Sequence, residues 1–349
     1  MSLENPFGPM SIGITVVVPS YNHGEFVGEA IRSITAQNYP AIQILVQDGG
    51  STDTTLDVLR SFEKAIEWNS EPDEGQSDAI IKGFAKARYD WIAWLNSDDV
   101  YCNDALWKVD AALSTYPDAD VVIGNGHYMD RSGKFLRPYP RIDLSPGSDV
   151  KHAMFEGGYL PQPSVYFRRT QYDAVGGLNK SLHLCMDYEL WCRFALADLK
   201  FVTVEEDISG NRWHDEAKSS SQYLNQLAEI CAMQTRLFGK VSVYYAQNLS
   251  DALFHTIWGT YQGPKHSLLY RTLFFKAVWV WLNLHDHHWL QTGLMDRNIT
   301  RSGAIHRDEI DNAAWIEEAK EVVDPKKIRE VLKRLYRLVP KKWREKSST

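Results

Sequence analysis

The segment ITVVVPSYNHGEFVGEAIRSITAQNYPAIQILVQDGG, Ile14 to Gly50, decides the fold. Its two ends, ITVVVPS and IQILVQDGG, are β-rich apolar runs that each stop at small polar residues. Between them Phe26, Ala30, Ile31 and Ile34 recur at helical spacing. Together they make a βαβ unit. The alternation then continues with a helix through Thr54 to Lys64, a short strand AIEW, a helix from Gln76 to Ala87, the strand DWIAWL and a further strand, ADVVIGN, near residue 120. This pattern predicts an α/β protein with an open, mostly parallel sheet covered by helices on both faces. In such sheets ligands bind outside the carboxyl ends of the strands. The clusters PSYN, QDGGSTD and NSDD each follow a predicted strand, so the pattern brings them to one crevice.

One of these strand ends raises a question of its own. WIAWLNSDDVY, Trp91 to Tyr101, is apolar until it reaches Asn96, Ser97, Asp98 and Asp99. Adjacent carboxylates repel, and burying either costs several kcal/mol unless a cation or hydrogen-bond donors compensate. The pair is therefore solvated at a strand end or gathered round a positive ligand.

The rest of the chain sets bounds. Its 349 residues, 44% hydrophobic and 24% charged, can bury a large core, which excludes a disordered chain. Cys102, Cys185, Cys192 and Cys231 form no CxxC pair, which fits buried thiols in a reducing compartment and argues against structural zinc. MSLENPFGPM lacks the basic region and apolar run of a signal peptide, and LLYRTLFFKAVWVWL is broken by Arg271 and Lys276, so a soluble cytoplasmic protein is expected. No nucleic-acid motif is present.

Past about residue 130 the pattern loosens. LPQPSVYFRRTQYDAVGGL reads as a strand, a helical turn and a Gly-Gly stop, and MDYELWCRFALA as a helix with Leu190, Phe194 and Ala197 on one face and acids in its first turn. From Ser219 the sequence is helical and aromatic-rich. These aromatics read mostly as core, and the crowded LHDHHW at Leu284 to Trp289 as a solvated loop rather than a metal site. From Pro325 to Thr349 ten Lys or Arg face two Glu, and Ile328, Val331, Leu332, Leu335, Leu338 and Val339 recur at helical spacing. This basic amphipathic helix either lies on an anionic membrane, at the inner face of the cell membrane, or packs on the protein's own body. The reading gives an extension at 1–11, a catalytic domain at 12–216, a helical region at 217–323 and the basic tail at 324–349.

Six segments in order, VVVPSYN (Val16 to Asn22), ILVQDGGSTDTT (Ile44 to Thr55), SEPDEGQSDAIIKGF (Ser70 to Phe84), WLNSDD (Trp94 to Asp99), PQPSVYFRR (Pro161 to Arg169) and MDYELWCR (Met186 to Arg193), resemble a family 2 glycosyltransferase with the GT-A fold. The resemblance covers residues 12 to 220. It implies an inverting, metal-dependent transfer of a sugar from a nucleotide-sugar donor, a UDP-sugar first, to a saccharide or lipid-linked acceptor. A diphosphate leaving group needs a divalent cation, Mn²⁺ or Mg²⁺, or cationic side chains. Asn96-Ser97-Asp98 occupies the family's DxD motif, which implies Asp98 as metal ligand and leaves Asn96 to the ribose or diphosphate. Asp99 reads as a second ligand or a cap of the next turn.

The same resemblance carries Pro19, Tyr21, Asp48 and Asp73 to the nucleotide, with Gln76 opening a helix toward the donor. The turn-closing role that DGGSTD also suggests falls to Asp53 rather than Asp48. Asp78 and Lys82 are four apart, so a helix salt bridge stands beside a donor contact for Lys82. MDYELW aligns Asp187 with the family's general base, kept ionised by the helix N-terminus. Glu189 is its rival, or else an exposed first-turn acid. His214 and Lys218 are secondary candidates near the diphosphate. Asn96 and Ile81 depart from the family pattern, which keeps a decayed scaffold open as an alternative. A nucleotidyltransferase lacks support because PSYNHGEF has no basic Gly-rich phosphate loop.

Overall fold

The computed structural model describes residues 11–141, 144, 148–158, 160–213 and 222–258. His214, Lys218, LHDHHW and the basic tail lie outside these residues. The described residues fall into two compact units, one running to Met154 and resuming at Gly158, the other holding Phe155–Gly157 and two later helices.

The first unit is built on one mixed sheet. Its parallel half is β1 (Ile14–Ser20), β2 (Ile42–Asp48), β3 (Glu67–Ser70) and β4 (Trp91–Trp94), in the order β3-β2-β1-β4. The connecting helices are α1 (Val27–Thr35), α2 (Thr55–Ser61) and α3 (Gln76–Ala85). The predicted βαβ pattern is met within a few residues, although β3 begins two residues after AIEW does. Beyond β4 come β8 (Val165–Arg168), antiparallel to β4, then β6 (Val121–Met129), β9 (Phe201–Arg212) and the short β5 (Val100–Tyr101). The last half of β6 pairs with β7 (Phe135–Pro138) on the side that β8 leaves. Sequence reading missed β9, which pairs with β6 along its whole length. It missed the helix α4 (Ala105–Thr115) as well.

Alternation along the strands sorts side chains into two cores. Val16, Val18, Ile44, Val46, Ala93 and Leu95 pack with α1, α2 and α4 in one apolar cluster. On the opposite face Trp94 stacks on Trp191 with centroids 5.5 Å apart, and Phe84, Phe167, Tyr172 and Phe194 complete an aromatic layer. Gly83 of α3 belongs here because a Cβ would lie 2.5 Å from Val17. The helix needs that close approach to reach the sheet.

The helices α5 (Val150–Phe155), α6 (Arg169–Ala174) and α7 (Met186–Leu196) follow in the chain. α7 departs from the one-sided helix expected, since Met186 and every residue from Tyr188 to Ala195 are buried. In the second unit α8 (Tyr223–Phe238) and α9 (Val243–Trp258) are joined by a short turn, and Gln234 of α8 binds both Phe155 O and the N–H of Ser242. No helix among the described residues is long and apolar enough to cross a membrane.

Candidate active site

Register places the strand-end groups side by side. Ser20 pairs with Asp48 and Asp48 with Ser70, so the loops after β1, β2 and β3 leave the sheet together. Asp48 is 2% exposed and accepts from Gly50 N, Ser51 N and the hydroxyls of Ser51 and Ser70 at 2.5–3.1 Å. It therefore does close the turn that sequence reading assigned to Asp53 alone. A short acidic side chain followed by two glycines favours this local bonding. Asp53 does the same for the next turn, accepting from Thr55 N and Gly24 N at 2.9 Å. Losing the charge in Asp48→Asn should destabilise the fold by about 1.5–3 kcal/mol, the scale of a hydrogen bond to a charged group. Chemical denaturation measures this.

Around that turn stand the other nucleotide candidates. Pro19 is buried in β1 and Tyr21 is largely exposed. Asp73 receives the N–H of Gly75 at 2.8 Å and sits against Gly49, where a Cβ would come within 2.7 Å of its carboxylate. The DGG turn thus needs glycine at Gly49 to admit Asp73.

The NSDD loop lies at the end of the next strand and is tied in on every side. Gln76 donates to Asn96 Oδ1 at 2.7 Å, and Asn96 Nδ2 donates to Asp99 and to Gln162 Oε1, each at 3.0 Å. Ser97 Oγ meets His23 Nδ1 at 2.7 Å. Asp99 is 1% exposed, and both of its oxygens are engaged within the protein. Oδ1 accepts from Arg212 N at 2.9 Å, and Asn211 Nδ2 reaches both oxygens at 3.1 and 3.2 Å. Burial first, and the neighbouring Asp98 charge second, push its carboxyl well above the ordinary range. So the two adjacent carboxylates have separate environments. Asp99 pins β9 to the loop, while the half-buried Asp98 offers its carbonyl to Arg212 Nε at 2.8 Å.

No group of three or more His, Cys, Asp or Glu is poised to hold a metal among the described residues. A single carboxylate in a strand-end loop still fits Mg²⁺ or Mn²⁺, which take one or two carboxylates and complete their shell with substrate phosphates and water.

α3 links this loop to α7. Gln76 bonds Asn96, and the next residue, Ser77, bonds Met186 Sδ at 2.6 Å, one residue before Asp187. Asp78 pairs with both Lys180 at 2.5 Å and Lys82 at 3.0 Å. Burial alone would raise its carboxyl, but the two ammonium groups hold it down at about 2. Lys82 therefore makes the helix salt bridge expected of its spacing, with Lys180 as a second cation.

At Asp187 burial works against the helix N-terminus. The residue stands half-buried in the first turn of α7, where desolvation raises its carboxyl above the ordinary range despite the N–H of Tyr188 at 2.8 Å. Withdrawal from water outweighs the helix N-terminus. Glu189 is not an exposed acid either. It is 5% exposed and grips Arg193 through two oxygens at 2.9 and 2.7 Å, while Arg193 also binds the carbonyls of Val175 and Gly177 at 2.6 Å. This pair anchors the Gly-Gly turn before α7. Glu189→Ala should destabilise the protein by about 3–5 kcal/mol because it leaves a buried guanidinium unpaired, and removing both partners as Glu189→Ala with Arg193→Met should recover much of that loss. Denaturation midpoints of the two variants measure the difference.

Sequence reading missed His23, Gln162, Asn211 and Arg212. Gln162 stood inside a quoted segment and Arg212 two residues before His214. The pairing of β9 with β5, which directly follows NSDD, is what brings Asn211 and Arg212 to the loop.

Comparison with known proteins adds a second line of support. Residues 15–174 match the family described as Glycosyl transferase family 2. An uncharacterized glycosyltransferase of Rickettsia typhi is 27% identical over 250 residues, 68% of this chain and 74% of that protein. Among solved structures, S. aureus TarS 1-349 in complex with UDP superposes with a TM-score of 0.52 at 14% identity, covering 89% of this chain and 91% of that one. A mannosyltransferase of Pyrobaculum calidifontis in complex with GDP-Man and Mn²⁺ gives 0.50 at 14%, covering 84% and 89%. At such identities the structures speak for the fold. Through residues 15–174 the chain thus resembles glycosyltransferase family 2, its named relatives support a transferase enzyme, and its fold is that of the GT-A glycosyltransferases.

Proposed function

We propose that the protein is an inverting glycosyltransferase that moves a sugar from a UDP-sugar to a saccharide or lipid-linked saccharide of a surface glycan. The observation that carries this reading is the pair of hydrogen-bonded groups at neighbouring strand ends, Asp48 with Ser70 and Gln76 with Asn96 and Asp99, the second continued by Ser77 to the start of α7. These contacts support one site with a nucleotide side and an acid-base side. That UDP is bound by the TarS structure, and GDP-Man with Mn²⁺ by the mannosyltransferase, supports the choice of ligands.

In this reading Tyr21, Asp48 and Asp73 face the base and ribose, the Asp48 turn acting chiefly through its backbone. Asp98 holds the divalent cation, which when bound neutralises charge developing on the departing diphosphate. Asn96 and Gln76, fixed by each other, present a neutral edge to the donor where a second carboxylate would repel its phosphates. Asp187 takes the proton of the acceptor hydroxyl as that oxygen bonds to the anomeric carbon and the nucleoside diphosphate leaves from the opposite face. A raised carboxyl, once ionised, is a better base than an ordinary Asp.

A thermal-shift screen of nucleotide sugars with and without Mn²⁺ tests the reading, since a ligand at about 100 times its Kd stabilises the native state by about 2.7 kcal/mol. A Mn²⁺-dependent shift with a UDP-sugar is expected, and no shift with any nucleotide sugar would favour the decayed scaffold. The basic segment 325–349 lies outside the described residues, and the proposal assigns it to an anionic membrane surface. A chain ending at Asp324 should then sediment less with phosphatidylserine-containing vesicles, while unchanged sedimentation removes the assignment.

A further inference from the structure

The free end of the β6–β9 ladder carries an aromatic group that the nucleotide side of the site leaves unused. Tyr128 of β6 pairs with Asn211 of β9 on one side and with Arg137 of β7 on the other, so these three side chains share one face of the sheet. Asn211 is the residue whose amide holds Asp99. Two residues on, Trp213 continues that face, its N–H bonded to Met129 O at 2.8 Å. The face therefore begins at the NSDD loop and runs outward from it.

The rings are arranged as a support with one member left open. Tyr128 is stacked on Tyr139 with centroids 4.1 Å apart and planes 15° apart, and the guanidinium of Arg137 lies 3.9 Å from its centroid. Both faces of Tyr128 are thus covered. Its edge meets Trp213 at 80° and 5.8 Å, which fixes the indole from the side. Trp213 itself is 42% exposed. A large indole buttressed by a three-member stack yet open to solvent is unlike a core residue, and a rigid amphipathic ring beside a polar loop suits the alternating C–H and O–H faces of a sugar.

We infer that Trp213 is the stacking surface for the acceptor saccharide, with Tyr128, Tyr139 and Arg137 as its positioning residues. The inference rests on the glycosyltransferase reading and deepens it, naming where a pyranose unit of the acceptor lies relative to the NSDD loop. Its place beyond Asn211 leaves Asp98 and Asp48 to the donor. Acceptor and donor then meet across Asp99, the residue that ties the two halves of the sheet.

The test uses the full chain on a printed array of unprotected oligosaccharides, with UDP affinity measured in parallel by calorimetry. The wild type is expected to retain at least one saccharide. Trp213→Ala should weaken that binding roughly tenfold, the scale of one lost aromatic stack with its burial, and Trp213→Phe should keep most of it. UDP affinity should stay the same in both variants. Tyr128→Ala should give an intermediate loss, as expected if it positions the indole. Equal saccharide binding by wild type and Trp213→Ala overturns the inference. So does a wild type that binds UDP but retains no saccharide, which leaves the glycosyltransferase reading standing. A wild type that binds neither UDP nor saccharide overturns both.

Discussion

Asp187→Asn is expected to lower sugar transfer by about 10²–10⁴-fold, the usual contribution of a positioned general base, while UDP affinity by calorimetry is unchanged. The amide has the carboxylate's shape but cannot accept the acceptor's proton. Desolvation raises the Asp187 carboxyl, so the acid limb of kcat/KM should lie above the ordinary carboxylate range, with activity lost as pH falls through that raised value. The stability sign runs the other way. A carboxyl whose folded value is raised favours the fold below its unfolded value and loses that contribution as pH rises through the folded one. Above the raised folded value the ionised group is therefore a burden on the fold, and there Asp187→Asn should melt no lower than wild type. A variant that transfers sugar at the wild-type rate, or a pH profile whose acid limb stays in the ordinary range, sinks the assignment.

Asp98→Asn should reduce transfer by about 10²–10³-fold, comparable to removing one electrostatic stabiliser of a leaving group's charge. It should also abolish the part of UDP affinity that depends on Mn²⁺. The fold should survive, because the backbone carbonyl that Arg212 Nε binds is kept by the substitution. Asp99→Asn makes the contrast. Its carboxylate accepts from Arg212 N and Asn211 in a nearly dry setting, so that variant should lose stability as well as activity. Unaltered Mn²⁺ dependence in Asp98→Asn would remove it from the metal site.

The parallel half of the fold was legible because each strand is a continuous apolar run ended by small polar residues, a signal that ITVVVPS and IQILVQD carry without help from tertiary structure. β9 was not legible. FVTVEEDISGNR mixes acids into its middle, and its pairing with β6 shifts register twice between Gly124 and Gly126, so no clean alternation survives. The same blindness hid Asn211 and Arg212, whose roles arise only when β9 lies beside β5.

At the site, residue type misled where environment decides. Glu189 in the first turn of α7 reads as a solvated acid because helix position says nothing of what covers it, and here Arg193 one turn on is buried with it. At Asp187 the helix N-terminus favours the charged form, yet that effect, about 0.3–1 kcal/mol at a surface, is smaller than the loss of water around the carboxylate, which raises it. Asp48 was denied its turn because the resemblance offered a ligand role. The structure gives the carboxylate four protein partners.

The central claim is that this chain cleaves a nucleotide-sugar with inversion through a site centred on the NSDD loop. Its most direct measurement is release of nucleoside diphosphate from a panel of UDP- and GDP-sugars in Mn²⁺, with ¹H NMR reading the anomeric configuration of the sugar product as it forms. The account predicts diphosphate release from a UDP-sugar, suppression by a chelator and by Asp98→Asn, and a β-configured product from an α-linked donor. An α-configured product, or release equally fast in Asp98→Asn, would contradict it.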